Sequence, residues 1–304
     1  MKLPHQSDCR YLAWTGMETD LIFKAGIDLP GFASFPLLQD PKMRRVIESY
    51  AREQIQLAAR HGLGCVLESA TWMANLDRAA SLGYDASNLV DINRDAIALL
   101  ADVREQSGAP KVLISANIGP RDDAYAPSDI MSAEDAEHYH TAQIESLVGT
   151  AVDMLSAYTF SNSPEAIGFV RSGRKAGFPS VVAFTVETDG RLPTGQTIDA
   201  AISVVDAATD EGAAYFMVNC AHPDHFSDTL TGNSRLAGIV VNASRCSHAE
   251  LNEATQLDEG DPSELGEQIA ALVADFPSIR VIGGCCGTDM RHLEEMASRV
   301  GGMT

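Results

Sequence analysis

Eight short apolar runs, separated by longer stretches of helical period, set the limits on what this chain can become: residues 11–14, 64–68, 111–118, 151–158, 179–186, 215–219, 237–242 and 280–282. Most are apolar at every position instead of alternating, which is how strands of a parallel sheet covered on both faces read. The stretches between them carry helix-start signals. Asp40-Pro41 combines an N-cap with proline at the first helical position and opens a helix to about residue 61. Ser132-Ala133-Glu134-Asp135 is a variant capping box, Ser163-Pro164-Glu165 is a cap before the next helix, and Asp261-Pro262-Ser263-Glu264 is another. Further helices are expected over about 87–106, 197–209 and 289–300, and the segment 15–19 after the first strand reads as a loop. Eight strand–helix units in 304 residues predict an α/β fold, a single (β/α)8 TIM barrel over residues 1–304. The alternative is a doubly wound open sheet, but its first turn, Thr15-Gly16-Met17-Glu18, lacks the G-x-G-x-x-G pattern.

Charge and length narrow the function. A formal charge of −20 opposes nucleic acid or anionic membrane as partner, since phosphate binding needs a basic face. No apolar run approaches bilayer length, and the first residues lack the apolar core of a signal peptide, so a cytoplasmic protein is expected. Six unevenly spaced cysteines make no disulfide framework; in a reducing compartment, clustered thiols act as ligands or nucleophiles. The oligomeric state is open, a homo-oligomer included.

The cysteines are placed unevenly in a telling way. Gly283-Gly284-Cys285-Cys286-Gly287-Thr288 follows the eighth run and precedes a helix, and Cys220 stands directly after the sixth, in Asn219-Cys220-Ala221-His222-Pro223. The glycine-flanked pair alone also fits a close-packed turn or a phosphate loop. In a barrel, however, strands six and eight are next-but-one neighbours, and functional groups gather at the C-terminal strand ends. Cys220, Cys285 and Cys286 can therefore converge on one metal. Soft sulfur ligands suit Zn²⁺, and three protein ligands leave a fourth position open; His222 or His225 filling it would make the site structural. Cys9, Cys65 and Cys246 read as structural residues, and His138 and His140 as surface residues on different helix faces. Three anionic sulfurs reduce the electrophilicity of the ion, so the site suits a thiolate nucleophile better than hydrolysis, and transfer of an alkyl group to a bound thiol is the expected chemistry. A zinc hydrolase is the weaker alternative.

These motifs resemble those of the zinc-dependent homocysteine S-methyltransferase family. The resemblance rests on Asn219-Cys220 and the Gly283–Thr288 loop, and extends to Glu68-Ser69-Ala70-Thr71-Trp72, to residues 115–120 and to residues 184–192. It implies a methyltransferase moving a methyl group from an onium donor such as S-methylmethionine to homocysteine or a related thiol, with Zn²⁺ on Cys220, Cys285 and Cys286 and a place in methionine biosynthesis. Acceptor-binding positions would be Gly16, Met17, Glu18, Thr19, Glu68, Tyr158, Asn219 and Gly284, with no catalytic residue beyond the zinc centre and Asn219 steadying the metal loop. Partners would be a small thiol and a methyl donor. At this length no fused folate or cobalamin module is expected.

Three departures stand out. Trp14-Thr15-Gly16-Met17-Glu18-Thr19 replaces an Asp-Gly-Gly-x-Gly-Thr loop, and Tyr158-Thr159 replaces a Glu-Thr whose carboxylate holds the homocysteine amine. Glu68 occupies a position that is small or polar in the family. A phenol cannot neutralise an ammonium. Either Glu68 or Glu18 supplies the charge, or the acceptor differs, or the protein binds zinc and a thiol without turnover; the alternative for Glu68 is an ion pair with Arg78. Trp14, Trp72 and Tyr158 are candidates to face a cationic donor.

Overall fold

Eight parallel strands hydrogen-bond in chain order and the last returns to the first, closing a barrel. The computed structural model describes residues 2–303. The strands are β1 (Tyr11–Trp14), β2 (Gly64–Glu68), β3 (Val112–Ile118), β4 (Met154–Phe160), β5 (Ser180–Phe184), β6 (Ala213–Asn219), β7 (Leu236–Val241) and β8 (Val281–Gly284). The seam is a regular parallel pairing, Leu12 with Ile282 and Trp14 with Gly284. The helices are α1 (Met17–Phe23), α2 (Pro41–Arg60), α3 (Leu76–Ser81), α4 (Ala86–Ser107), α5 (Ala133–Ser146), α6 (Ser163–Ala176), α7 (Ile198–Thr209), α8 (Pro223–Phe226), α9 (His248–Glu253), α10 (Pro262–Asp275) and α11 (Met290–Val300). This is the (β/α)8 barrel expected from the apolar runs. Among the described residues no helix is long and apolar enough to cross a membrane.

Strand alternation makes two cores. Leu12, Leu67, Ile114, Val182 and Ile282 face outward and pack beneath the helices. Tyr11, Ala13, Val66, Leu113, Met154, Tyr158, Tyr215 and Val281 fill the barrel interior, together with Cys220 and Cys285. The same period of two carries Thr15, Glu68, Asn117 and Asn219 inward at the upper strand ends. The barrel is thus apolar below and polar at its C-terminal mouth.

Several local expectations are corrected. The segment after β1 turns helical at Met17 instead of looping to Thr19. β4 begins at Met154 and reaches Phe160, because the Asp153 carboxylate accepts the Ile114 N–H (2.8 Å) and ends the turn before it. Asn162, not Ser163, caps α6, accepting the Glu165 N–H at 2.9 Å. His138 is exposed as expected, but His140 is buried, 3.2 Å from the Glu165 carboxylate of the neighbouring helix. Cys65 is buried, whereas Cys246 is exposed and packs in no core.

Candidate metal centre and substrate cavity

The strand ends present the three thiols by unusual backbone geometry. Cys220 adopts left-handed backbone (φ 56°), a strained state for a residue with a Cβ. Its neighbours hold it there: its N–H donates to the Val240 carbonyl (2.9 Å). Its own carbonyl accepts from Asn242 Nδ2 (3.0 Å) and lies 2.7 Å from His248 Nε2. The other two thiols follow β8, where glycine is required. A Cβ at Gly283 would stand 2.0 Å from the Ala13 carbonyl oxygen, and one at Gly284 2.2 Å from Thr288 Oγ1. Cys285 N–H donates to the Val241 carbonyl (2.7 Å), and Thr288 Oγ1 to the Cys285 carbonyl (2.6 Å).

The result is one cluster. The ligand atoms of Cys220, Cys285 and Cys286 lie within 4.8 Å of one another, and Cys220 Sγ is 3.6 Å from Cys286 Sγ with no disulfide formed. A tetrahedral zinc–sulfur site with bonds of about 2.3 Å places its sulfurs about 3.8 Å apart, so spacing and donor chemistry fit Zn²⁺. Neither histidine considered as a fourth ligand joins them. His222 Nδ1 accepts the Asp224 N–H (3.2 Å) as the cap of α8, and His225 Nε2 is 2.8 Å from the Arg245 carbonyl. Contacts from the Cys285 and Cys286 thiols, then from Tyr125, hold the Cys220 pKa well below the usual thiol value.

Two residues that sequence reasoning did not single out cover the cluster. Tyr125, from the loop after β3, places its hydroxyl 3.0 Å from Cys220 Sγ. Its ring stacks on His248 with centroids 3.8 Å apart, and His248 Nδ1 lies 3.4 Å from Glu187. They come from segments far apart in the chain, the loop after β3 and the first position of α9, and no motif marks them. Asn242 was also missed; its buried Oδ1 has no partner.

The cluster opens into a cavity of about 910 Å³ at the barrel mouth, lined on one side by Phe32, Trp72 and Tyr158 and on the other by Glu187, His248 and Asp258. The expected site residues divide into two groups. Glu18, Thr19, Tyr158 and Asn219 reach this cavity. Gly16 and Gly284 are backbone positions: a Cβ on Gly16 would stand 2.6 Å from the Cys285 carbonyl, and Gly284 accepts the Thr15 N–H at 2.9 Å. Thr19 also braces the cysteine loop, since its Oγ1 accepts the Gly287 N–H (3.1 Å). Met17 packs against the outer core. Asn219 is committed to β4 through the Thr159 N–H (2.9 Å); the side chain that holds the Cys220 carbonyl is Asn242. Trp14 is buried and packs edge-on to Tyr50, whereas Trp72 donates its indole N–H to Thr159 Oγ1 (3.0 Å) while its ring meets the cavity.

The two carboxylates behave alike. Glu68 Oε1 accepts from the Tyr158 hydroxyl at 3.1 Å, its Oε2 is buried without a partner, and burial pushes its pKa up to about 7. Glu18 accepts from the Ser34 hydroxyl (2.7 Å), and burial raises it to about 7 as well. Arg78 does not pair with Glu68; it donates to the Asp122 carbonyl (3.1 Å).

The sequence model of the homocysteine S-methyltransferases matches residues 15–300, a span that includes all three thiols. The chain belongs to the homocysteine S-methyltransferase family. Over 245 residues it is 28% identical to methionine synthase of Mycobacterium tuberculosis, covering 77% of this chain and 20% of that protein. The Mycobacterium leprae methionine synthase is 32% identical over 158 residues, 51% of this chain and 12% of that protein. The chain thus spans about a fifth or less of these longer relatives. Among solved structures, the Escherichia coli homocysteine methyltransferase MmuM superposes with TM-score 0.73 in its metallated form, at 17% identity and 97% coverage of both chains. Its oxidized form gives 0.75 over 98% of this chain and 100% of that one, also at 17% identity. At that identity these structures speak for the fold of this family member.

Proposed function

We propose that residues 1–304 act as one zinc-dependent methyltransferase domain, moving a methyl group from an onium donor to the sulfur of homocysteine or a closely related thiol. The observation that carries this is the trio of sulfurs at tetrahedral-site spacing, open to a cavity large enough for two small molecules. Zn²⁺ on Cys220, Cys285 and Cys286 would supply a lowered pKa for an acceptor thiol, which is otherwise only a few per cent thiolate at neutral pH. The chain does the rest. A new S–CH₃ bond forms on the acceptor while the donor's bond between its onium atom and the methyl breaks, the electron pair staying on the leaving sulfur or nitrogen. That atom departs as a neutral thioether or tertiary amine, so no general acid is required.

The wall of the cavity suits a cationic donor. Its charged lining is Glu18, Asp123, Glu187 and Asp258 against Arg78, a balance that concentrates cations at the mouth. Phe32 and Trp72, edge to face at 6.1 Å, offer π faces nearby. Glu18 and Glu68 serve the charged end of the acceptor, flanked by Tyr158 and Asn219. Gly16, Met17, Thr19 and Gly284 shape and brace the surrounding loops. A reducing, cytoplasmic setting suits a centre that works through three free thiols.

Zinc analysis combined with methyl-transfer assays tests the reading, with homocysteine as acceptor and S-methylmethionine, betaine or S-adenosylmethionine as donor. About one zinc per chain and thiol-dependent loss of one donor are expected. Stoichiometric zinc with thiol binding, yet no methylated product from any donor, would reject turnover in favour of a binding protein.

A further inference from the structure

A methyl donor in the large cavity meets more than one sulfur. Cys220, Cys285 and Cys286 all line that space, and an acceptor thiol would make a fourth. The thiolate is the nucleophilic form of sulfur, and four of them around one dication leave a surplus of negative charge on every one. Methylation of a ligand sulfur would turn an anionic ligand into a neutral thioether and spoil the centre. We propose that Tyr125 shields Cys220 from this side reaction: its phenol O–H donates to Cys220 Sγ and makes that sulfur a poorer nucleophile than the acceptor's. The proposal rests on the reading of the site as a methyltransferase and adds a device that steers the methyl group away from the protein's own sulfur.

The geometry carries the argument. Cys220 Sγ lies 3.0 Å from the Tyr125 hydroxyl. A metal-bound cysteine has lost its proton and can only accept, so the phenol is the donor. A hydrogen bond to an anion draws charge out of it and lowers its basicity. Sulfur nucleophilicity falls as basicity falls. An acceptor sulfur that receives no such bond keeps its reactivity, and the two sulfurs become unequal although they would share one ion.

The phenol is held in place from several sides. Its ring stacks on His248, with centroids 3.8 Å apart and planes 25° apart. His248 Nε2 is 2.7 Å from the Cys220 carbonyl oxygen, which can only accept, so the imidazole donates there. The stacked pair therefore grips Cys220 at both ends, the thiol through Tyr125 and the carbonyl through His248. The loop that carries Tyr125 is tied to itself. Asp123 Oδ1 accepts the N–H groups of Tyr125 (2.8 Å) and Ala126 (2.9 Å), and Asp122 Oδ2 those of Ser128 (2.6 Å) and Asp129 (2.9 Å). Arg78 fastens the same loop to α3 through the Asp122 carbonyl (3.1 Å). A ring that only covered the cluster would need no hydroxyl, since phenylalanine fills the same space.

The test uses iodomethane, a methyl donor that needs no binding site. The S–CH₃ bond forms on a thiolate as the C–I bond breaks, and iodide leaves with the electron pair. Zinc-loaded protein and its Tyr125→Phe variant would be treated in parallel and the methylated cysteines located by peptide mass spectrometry, with the exposed Cys246 as internal reference. In Tyr125→Phe, Cys220 should be methylated about three- to tenfold faster relative to Cys246, the effect of removing one charge-assisted hydrogen bond. Cys285 and Cys286 should change by less than about twofold. With Co²⁺ in place of zinc, the sulfur-to-cobalt charge-transfer band should move to lower energy in the variant while the d–d bands stay. Unchanged methylation of Cys220 would overturn the proposal. Equal acceleration at all three sulfurs, or loss of zinc from the variant, would also overturn it, because the phenol would then be a structural brace. So would d–d bands that report a changed ligand set, which would put the phenol oxygen on the metal. If Cys220 methylation rises in Tyr125→Phe while no donor methylates homocysteine, the shielding stands and the reaction reading falls. If transfer proceeds and Cys220 ignores the substitution, the reverse holds.

Discussion

Each of the three cysteines provides one of the sulfurs of the cluster, and no other His, Cys, Asp or Glu among the described residues joins them. Cys220→Ser, Cys285→Ser and Cys286→Ser should each cut bound zinc from about one per chain to below about a tenth, measured by atomic absorption after gel filtration. Full zinc in any one variant removes that residue from the ligand set. Glu68 gives a different signature. Burial holds its carboxyl at about 7 in the folded chain against an ordinary value of 4.5. Between those values the folded protein keeps a proton that the unfolded chain has released, so stability falls as pH rises through this window and the deficit is complete above it. The shift corresponds to about 3 kcal/mol. Glu68→Gln should therefore raise Tm by about 5 °C at pH 8 and by little at pH 5. An equal gain at both values would mean that the charge is not the cause.

At the scale of elements, β8 shows how much of the site is backbone geometry. Gly283→Ala places a methyl 2.0 Å from the Ala13 carbonyl oxygen across the seam, so the strand must move. We expect a loss of at least about 3 kcal/mol in urea unfolding together with weakened zinc binding. Gly302→Ala, which meets nothing within 4 Å, serves as the control. The strands themselves could be read from the amino acids, because a parallel strand covered on both faces must be apolar throughout. So could the thiol trio, since strand order alone places Cys220 and Cys285 on one rim. Shorter elements left no such trace. α1, α3, α8 and α9 span four to seven residues, too few for a period to declare itself. His140 was misread for a related reason. α5 buries polar residues, His140 and Gln143, because partners wait on other elements: Glu165 on α6, and the Thr71 carbonyl after β2 (3.1 Å from Gln143). Tyr125 and His248 meet only through tertiary structure, 3.8 Å apart although more than a hundred residues separate them.

At the scale of the whole molecule, charge carries the prediction. The chain bears −20, and four carboxylates face one guanidinium around the cavity. Such a mouth draws cations by a field that salt screens, with a Debye length of about 10 Å at 0.1 M. kcat/KM for a cationic donor should fall several-fold between about 20 and 500 mM NaCl, while kcat changes little. A flat salt profile would place recognition of the donor in close contacts alone.

The seam between β1 and β8 also has a consequence in time. Cys220 precedes Cys286 by 66 residues, and the strand that presents the pair is the last of the eight barrel strands to leave the ribosome. Until that final staple of the ring is in place, a nascent chain holds only one of its three sulfurs and has no grip on an ion. Loading must therefore follow synthesis of β8, and an ion joining β6 to β8 across β7 would act as a clasp on the ring, resisting its reopening at the youngest joint.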